Sequence, residues 1–236
     1  MCRLSIIIPA IRNDRWENVL NSIAKSCTKY SYEVIFIGPN KYNDTDNVRY
    51  IQDLASPNIC QHKALQRAKG DILHIFSDDC LFAEGSIDIC LDRMDCDAII
   101  PNYDEGGNAA VGNFSLNYCY AKTITPDSFV IFNTAFMKRE RYFELGGFDC
   151  RFETLCVAQA DLAARWQFSN FSVKIENIVL SRCGHMPGTT GDHGPMHWAQ
   201  VLNDIPLYLD KYSAIPQLVV DPDNWKNQPR IWSRRF

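Results

Sequence analysis

Three continuous apolar runs, none of them alternating with polar residues, restrict the fold of this chain more than any other feature. Residues 3–9 read Arg-Leu-Ser-Ile-Ile-Ile-Pro, residues 32–37 read Tyr-Glu-Val-Ile-Phe-Ile, and residues 71–76 read Asp-Ile-Leu-His-Ile-Phe. A strand with one wet face alternates, whereas a strand covered on both faces is apolar nearly throughout, which is the habit of parallel sheets flanked by helices. The punctuation agrees: the first run stops at Pro9, the second at Gly38-Pro39-Asn40, and the third runs into Ser77-Asp78-Asp79-Cys80. Between the first two, Trp16, Val19, Leu20 and Ile23 recur at helical spacing, with Asn13 or Asp14 placed as N-cap and Lys25 near the end. Strand, helix and strand then form a right-handed βαβ unit, and the fold class is α/β.

Further along, the pattern predicts a helix over residues 60–68 ending before Gly70, a helix over 87–94 and a strand over 98–101. Residues 102–117 are rich in glycine and asparagine and read as a loop or irregular hairpin. A strand-like stretch over 128–137 leads to a helix over 139–145, the turn Gly146-Gly147-Phe148-Asp149, a helix over 157–168 and a last strand over 175–180. There is no internal repeat. A chain of 236 residues is long enough for one well-buried α/β domain.

A net charge of -4 argues against a surface built to coat nucleic acid, which needs clustered cations to neutralise phosphates. Only residues 230–236 are locally basic; Arg230, Trp232, Arg234, Arg235 and Phe236 read either as a solvated terminus or as a peripheral contact with an anionic membrane face. No run approaches the roughly 20 apolar residues of a spanning helix, and the start opens directly into a strand rather than a signal peptide, so a cytoplasmic protein is expected. The ten cysteines never form Cys-x-x-Cys and fall in core-like segments, which predicts buried free thiols.

Asp78 and Asp79 stand where a parallel sheet presents its ligand crevice, and two adjacent hard carboxylates there suit Mg²⁺ or Mn²⁺ on a diphosphate. An Asp-Asp pair is also common in surface turns. His185, in Ser181-Arg182-Cys183-Gly184-His185 after the last strand, is placed to bring an imidazole to the same edge. His193 and His197 are spaced i, i+4, yet Gly194 and Pro195 between them oppose one helix presenting both as zinc ligands. The Gly146-Gly147 turn reads equally as a ligand-approach loop or a helix C-cap. Asp161 and Arg165, one turn apart, read first as an ion pair without chemistry.

Taken in order, these pieces resemble the GT-A glycosyltransferases of family 2 and their close relatives. The resemblance rests on Ser5-Ile6-Ile7-Ile8-Pro9, on Ala68-Lys69-Gly70-Asp71-Ile72-Leu73 leading to Ser77-Asp78-Asp79, on Glu144-Leu145-Gly146-Gly147-Phe148-Asp149, and on Asp161-Leu162 with Arg165. It implies a GT-A (nucleotide-diphospho-sugar transferase) fold with a mostly parallel central sheet flanked by helices. A single domain over residues 1–236 is implied, with a nucleotide-binding half at about 1–100, an acceptor half at about 101–200 and a C-terminal extension from about 201. The acid closing the Asp-x-Asp motif falls on Asp79, implied to hold the metal with His185. Pro9, Ala10 and Arg12 would line the nucleotide pocket, Gly38 and Asn40 would stand in for the missing acidic pair after the second strand, and Asp78 would orient ribose or donor sugar. The Glu-Asp pair whose aspartate serves as base in inverting members falls on Ala158-Gln159, and glutamine cannot accept a proton as a carboxylate does, which leaves Glu153 or Asp161 as base, a reaction that retains configuration, or a weak or inactive relative. The segment that often carries Arg-Asn reads Gln61-His62.

The implied activity is transfer of a sugar from a nucleotide-diphosphate donor, a UDP-sugar first, to a glycan, lipid-linked or small-molecule acceptor hydroxyl, with Mn²⁺ or Mg²⁺ as cofactor. A non-catalytic sugar-nucleotide-binding or assembly protein is the alternative, motivated by the missing acidic pair. A nucleotidyltransferase is disfavoured because it needs a glycine-rich phosphate loop after the first strand, where Ala10-Ile11-Arg12-Asn13-Asp14 has no glycine.

Overall fold

The computed structural model describes residues 2–104, 132, 134–183, 196 and 198–212. The apolar runs become β1 (Leu4–Pro9), β2 (Tyr32–Gly38) and β4 (Ile72–Ile75), with every residue of β4 and the first five of β1 buried. Between β1 and β2 lies α1 (Trp16–Ser26), which buries Trp16, Val19 and Ile23 as the helical spacing required. Its entry differs from expectation: Asn13–Arg15 form a 3₁₀ turn, and neither Asn13 nor Asp14 caps α1. A strand that the pattern did not reveal, β3 (Val48–Gln52), follows β2, and then α2 (Pro57–Leu65), displaced from the expected 60–68 because Pro57 suits a first helical turn.

β5 (Cys80–Phe82), α3 (Ser86–Asp92) and β6 (Ala98–Asp104) come next, followed by β7 (Phe136–Lys138), α4 (Arg139–Glu144), α5 (Leu155–Phe168) and β8 (Val173–Cys183). A π-helical segment, Gln200–Asp204, runs into α6 (Ile205–Tyr212). The eight strands form one sheet ordered β3-β2-β1-β4-β7-β6-β8-β5. β1 pairs in parallel with β2 and β4, β2 with β3, and β6 with β8, while β7 runs antiparallel to β4 and β6, and β5 antiparallel to β8. Six strands therefore share one direction, and the sheet is mostly parallel. α2 packs on β1 and β2, α1 on β5, and α3 on β8.

The chain moves outward from β1 to β2 and β3, then returns to place β4 on the other side of β1. That reversal opens a crevice beyond the carboxyl ends of β1 and β4, the position where open α/β sheets take ligands. Two close approaches fix the neighbourhood. A Cβ on Gly38 would stand 2.0 Å from the Ala10 carbonyl oxygen, and one on Gly70 would stand 2.5 Å from the Ser5 nitrogen. Glycine at both places lets backbone meet backbone.

Cys27, Cys60, Cys80, Cys90 and Cys150 are buried free thiols, as the cysteine pattern predicted. Burial pushes the Cys27 thiol up to about 11 and the Cys90 thiol to about 12, so both are inert packing groups. Among the described residues, no helix is long and apolar enough to cross a membrane.

Candidate active site

Asp78 sits in the loop after β4 and is 1% exposed. A carboxylate at that depth must find donors, and it finds them across the crevice. The backbone N–H groups of Ile11 and Arg12 each donate to its Oδ2 at 2.7 Å, Arg12 Nη1 donates to Oδ1 at 2.5 Å, and Trp16 Nε1 approaches Oδ2 at 3.4 Å. Asp78 therefore staples the loop after β1 to the loop after β4. Asp78, expected to orient ribose or donor sugar, directs its carboxylate at Ile11, Arg12 and Trp16.

Asp79 is 6% exposed. Ser77 Oγ donates to its Oδ1 at 2.5 Å, the Cys80 thiol lies 3.5 Å from the same oxygen, and its Oδ2 faces Arg12 Nη2 at 3.6 Å. One guanidinium thus spans two carboxylates, closely to Asp78 and at ion-pair range to Asp79. Ser77 thus orients the Asp79 carboxylate.

Beside this pair lies an aromatic wall that the sequence reading did not identify. Trp16 stacks on Phe36 with ring centroids 4.7 Å apart and meets Tyr42 edge-on at 4.9 Å; Tyr50 stacks on Phe36 at 5.4 Å. Asn13 Nδ2 donates to the Tyr42 hydroxyl at 2.7 Å. The available signal was the unusual placing of Tyr42 and Tyr50 in a polar segment. Pro9 and Ala10 stand at the β1 exit and Asn40 in the loop after β2, half-buried, while Gly38 makes its close approach to Ala10 as described above.

Asp161 lies in α5 and Glu153 just before it. Asp161 is fully buried; Arg165 Nε donates to Oδ2 at 2.9 Å, and Lys211 Nζ at 2.5 Å and the Tyr212 hydroxyl at 2.7 Å donate to Oδ1. Lys211 also donates to Asp149 Oδ2 at 3.0 Å, and Arg151 grips Asp149 through Nε and Nη2. Burial pushes the Asp149 carboxyl up, but Arg151 and Lys211 outweigh it and hold the group below its ordinary range. Arg165 in turn donates to the carbonyls of Leu145 and Gly147. Gly146 and Gly147, at φ 79° and 77°, close α4, with their N–H groups donating to Phe143 and Tyr142 carbonyls. The glycine turn is the helix C-cap, and Asp161 with Arg165 is the ion pair that the spacing suggested.

Glu153 precedes α5 and is 3% exposed; its N–H donates to Asp204 Oδ1 at 2.8 Å, and its carbonyl accepts from the Asn58 N–H. Ala158 and Gln159, at the place of the usual acidic pair, are buried in α5. Gln61 is fully buried, with neither amide atom hydrogen-bonded among the described residues, and His62 is bonded through Nδ1 to the Tyr142 hydroxyl at 2.9 Å. His185, His193, His197 and residues 105–131 and 213–236 lie outside the described residues. Among the described residues no three His, Cys, Asp or Glu side chains gather as a metal cluster.

No protein-family model matches the chain, and no curated protein matches its sequence. Solved structures match its fold. The mannosyltransferase PcManGT from Pyrobaculum calidifontis, in complex with GDP-Man and Mn²⁺, aligns at TM-score 0.62 and 14% identity over 98% of this chain and 68% of that one. S. aureus TarS 1-349 in complex with UDP-GlcNAc aligns at TM-score 0.61 and 15% identity over 88% of this chain and 66% of that one. In a further structure of TarS 1-349 the TM-score is 0.58 at 15% identity, and the match covers 77% of this chain and 60% of that one. The fold is accordingly GT-A-like, as the sequence motifs implied, and this chain spans roughly three fifths of that TarS fragment.

Proposed function

We propose that this chain is a metal-dependent glycosyltransferase that moves a sugar from a nucleotide-diphosphate donor, a UDP-sugar first, to an acceptor hydroxyl. One observation carries the reading: the Arg12–Asp78–Asp79 constellation joins the loops after β1 and β4 at the crevice of a GT-A-like sheet. The relatives in fold were solved with UDP-GlcNAc and with GDP-Man and Mn²⁺, which supports a sugar-nucleotide at this edge.

Asp79 fits a divalent cation as a single hard-oxygen anchor whose other carboxylate oxygen Ser77 fixes, so Asp79 would hold Mn²⁺ or Mg²⁺, with His185 as the second protein ligand. When bound, the cation neutralises the leaving diphosphate. Pro9, Ala10, Gly38 and Asn40 border the nucleotide, and Arg12 sits beside its phosphates. Asp78 acts through Arg12 as a positioning residue. Asp161 has its oxygens taken by Arg165, Lys211 and Tyr212, so the base role is assigned to Glu153. The acceptor side is assigned to residues 102–117 and 184–197, and one domain over residues 1–236 belongs to the same reading. The acceptor is a glycan, a lipid-linked sugar or a small molecule.

A second reading, a sugar-nucleotide-binding protein without transfer, is favoured by one observation, the burial of Ala158 and Gln159 where the acidic pair would stand. Release of free nucleotide from a panel of UDP- and GDP-sugars separates the two. Transfer predicts turnover of one donor, lost by at least about a hundredfold in Glu153→Gln, the scale on which a general base contributes. Binding of UDP with no turnover of any donor would favour the second reading.

A further inference from the structure

We infer that Arg12 sets the affinity of Asp79 for a divalent cation, acting as a resident counter-ion that must give way before the cation binds. The inference rests on the proposed metal role of Asp79 and adds a control that neither the sequence motifs nor the relatives in fold assign.

Arg12 is tied to Asp78 twice, by its backbone N–H at 2.7 Å and by Nη1 at 2.5 Å, and Asp78 is itself fixed by the Ile11 N–H. A guanidinium is planar and rigid, so with Nη1 held, Nη2 is delivered to one place, 3.6 Å from Asp79 Oδ2. The other oxygen, Oδ1, already accepts from Ser77. A cation approaching Asp79 therefore meets a full positive charge at ion-pair range from the oxygen it needs. The Arg12 side chain is 20% exposed against 1% for Asp78 and 4% for Asp79, so it is the member of the trio with solvent to move into.

The chemistry gives the displacement a destination. A diphosphate brought into the crevice presents oxygens that an arginine fork accepts as readily as a carboxylate. Exchange of Asp79 for phosphate lets Nη2 keep a partner while the carboxylate turns to the cation. Cation alone binds weakly, and cation with diphosphate binds well, which keeps Asp79 from collecting metal in the absence of donor.

The test is Mn²⁺ binding without nucleotide, followed by the electron paramagnetic resonance signal of free Mn²⁺, in wild type, Arg12→Met, Arg12→Lys and Asp79→Asn, with folding checked by circular dichroism. Arg12→Met is expected to bind Mn²⁺ at least about tenfold tighter than wild type, from the repulsion removed. Arg12→Lys, which keeps the charge but loses the fork, should fall between them. If neither Arg12 variant gains affinity while Asp79→Asn still abolishes binding, the control by Arg12 is overturned and the metal role of Asp79 stands. If Asp79→Asn leaves Mn²⁺ affinity unchanged, the metal reading itself is overturned. Should Arg12→Met not fold, the absence of a gain in Arg12→Lys decides against the inference.

Discussion

Two clusters of aspartates in this molecule use the same residue types to opposite ends. Around α5, Asp149 and Asp161 are fully buried and meet Lys211, Arg165, Arg151 and Tyr212, so that cations and hydroxyl close the set within the protein. At the β4 exit, Asp78 and Asp79 both face one partly exposed guanidinium, that of Arg12. The α5 cluster is a closed interior tie, whereas the β4-exit carboxylates stand at a sheet crevice beside a cation that reaches solvent. The sequence lends both clusters a similar look, and burial with partner geometry separates them.

The largest expected effect breaks the closed cluster. Asp161→Asn leaves Lys211 and Arg165 buried without their shared carboxylate and is expected to cost about 3–5 kcal/mol in urea denaturation. Asp79→Asn should change stability by less than about 1 kcal/mol, because Arg12 keeps Asp78 and reaches solvent. Equal losses in the two variants would erase the distinction.

A smaller effect separates the clusters by pH. His74, fully buried and stacked on Phe136 at 4.1 Å, is held neutral because burial lowers its pKa to about 3 from 6.5. The neutral form is favoured in the fold, so this stability is present above pH 6.5 and is lost as pH falls from there toward 3, at roughly 1.4 kcal/mol per unit once protonation dominates the unfolded chain. Asp149, depressed below 3.8, contributes stability that is kept until pH falls below that value. Acid destabilisation between pH 6 and 4 should therefore flatten in His74→Phe while the α5 cluster stays intact. An unchanged slope in that variant would contradict the assignment.

An effect smaller than that of Asp161→Asn concerns the start of α5. Asp204 accepts from the N–H groups of Glu153 and Thr154 and from the Thr154 hydroxyl, a cap supplied from the π-helical segment fifty residues on. Asp204→Ala should cost about 1–2 kcal/mol in thermal or urea unfolding. No loss would mean that α5 starts without it.

Much of the fold from β1 to β4 was legible because β1, β2 and β4 are buried on both faces and α1 shows a clear apolar spacing. β3 was not, since Val48–Gln52 is mostly half-exposed and carries Arg49 and Gln52, leaving no continuous apolar run. β5 has three residues, too few for any period. α6 escaped because Pro206 stands in its first turn and its buried face includes Lys211, whose partners come from Asp149 and Asp161 far away in the chain. At the candidate site, the placing of Arg12 and Asp79 in loops after buried strands was legible. The role of Asp78 was not, because it depends on amides of Ile11 and Arg12 that only the parallel pairing of β1 and β4 brings opposite.

The central claim, a metal-assisted sugar-nucleotide site centred on Asp79, is tested most directly by calorimetric titration of UDP and GDP with and without Mn²⁺ into wild type and Asp79→Ala. The account predicts UDP binding that strengthens with Mn²⁺ in wild type and loses that dependence in Asp79→Ala. Failure of either nucleotide to bind wild type under both conditions would contradict it.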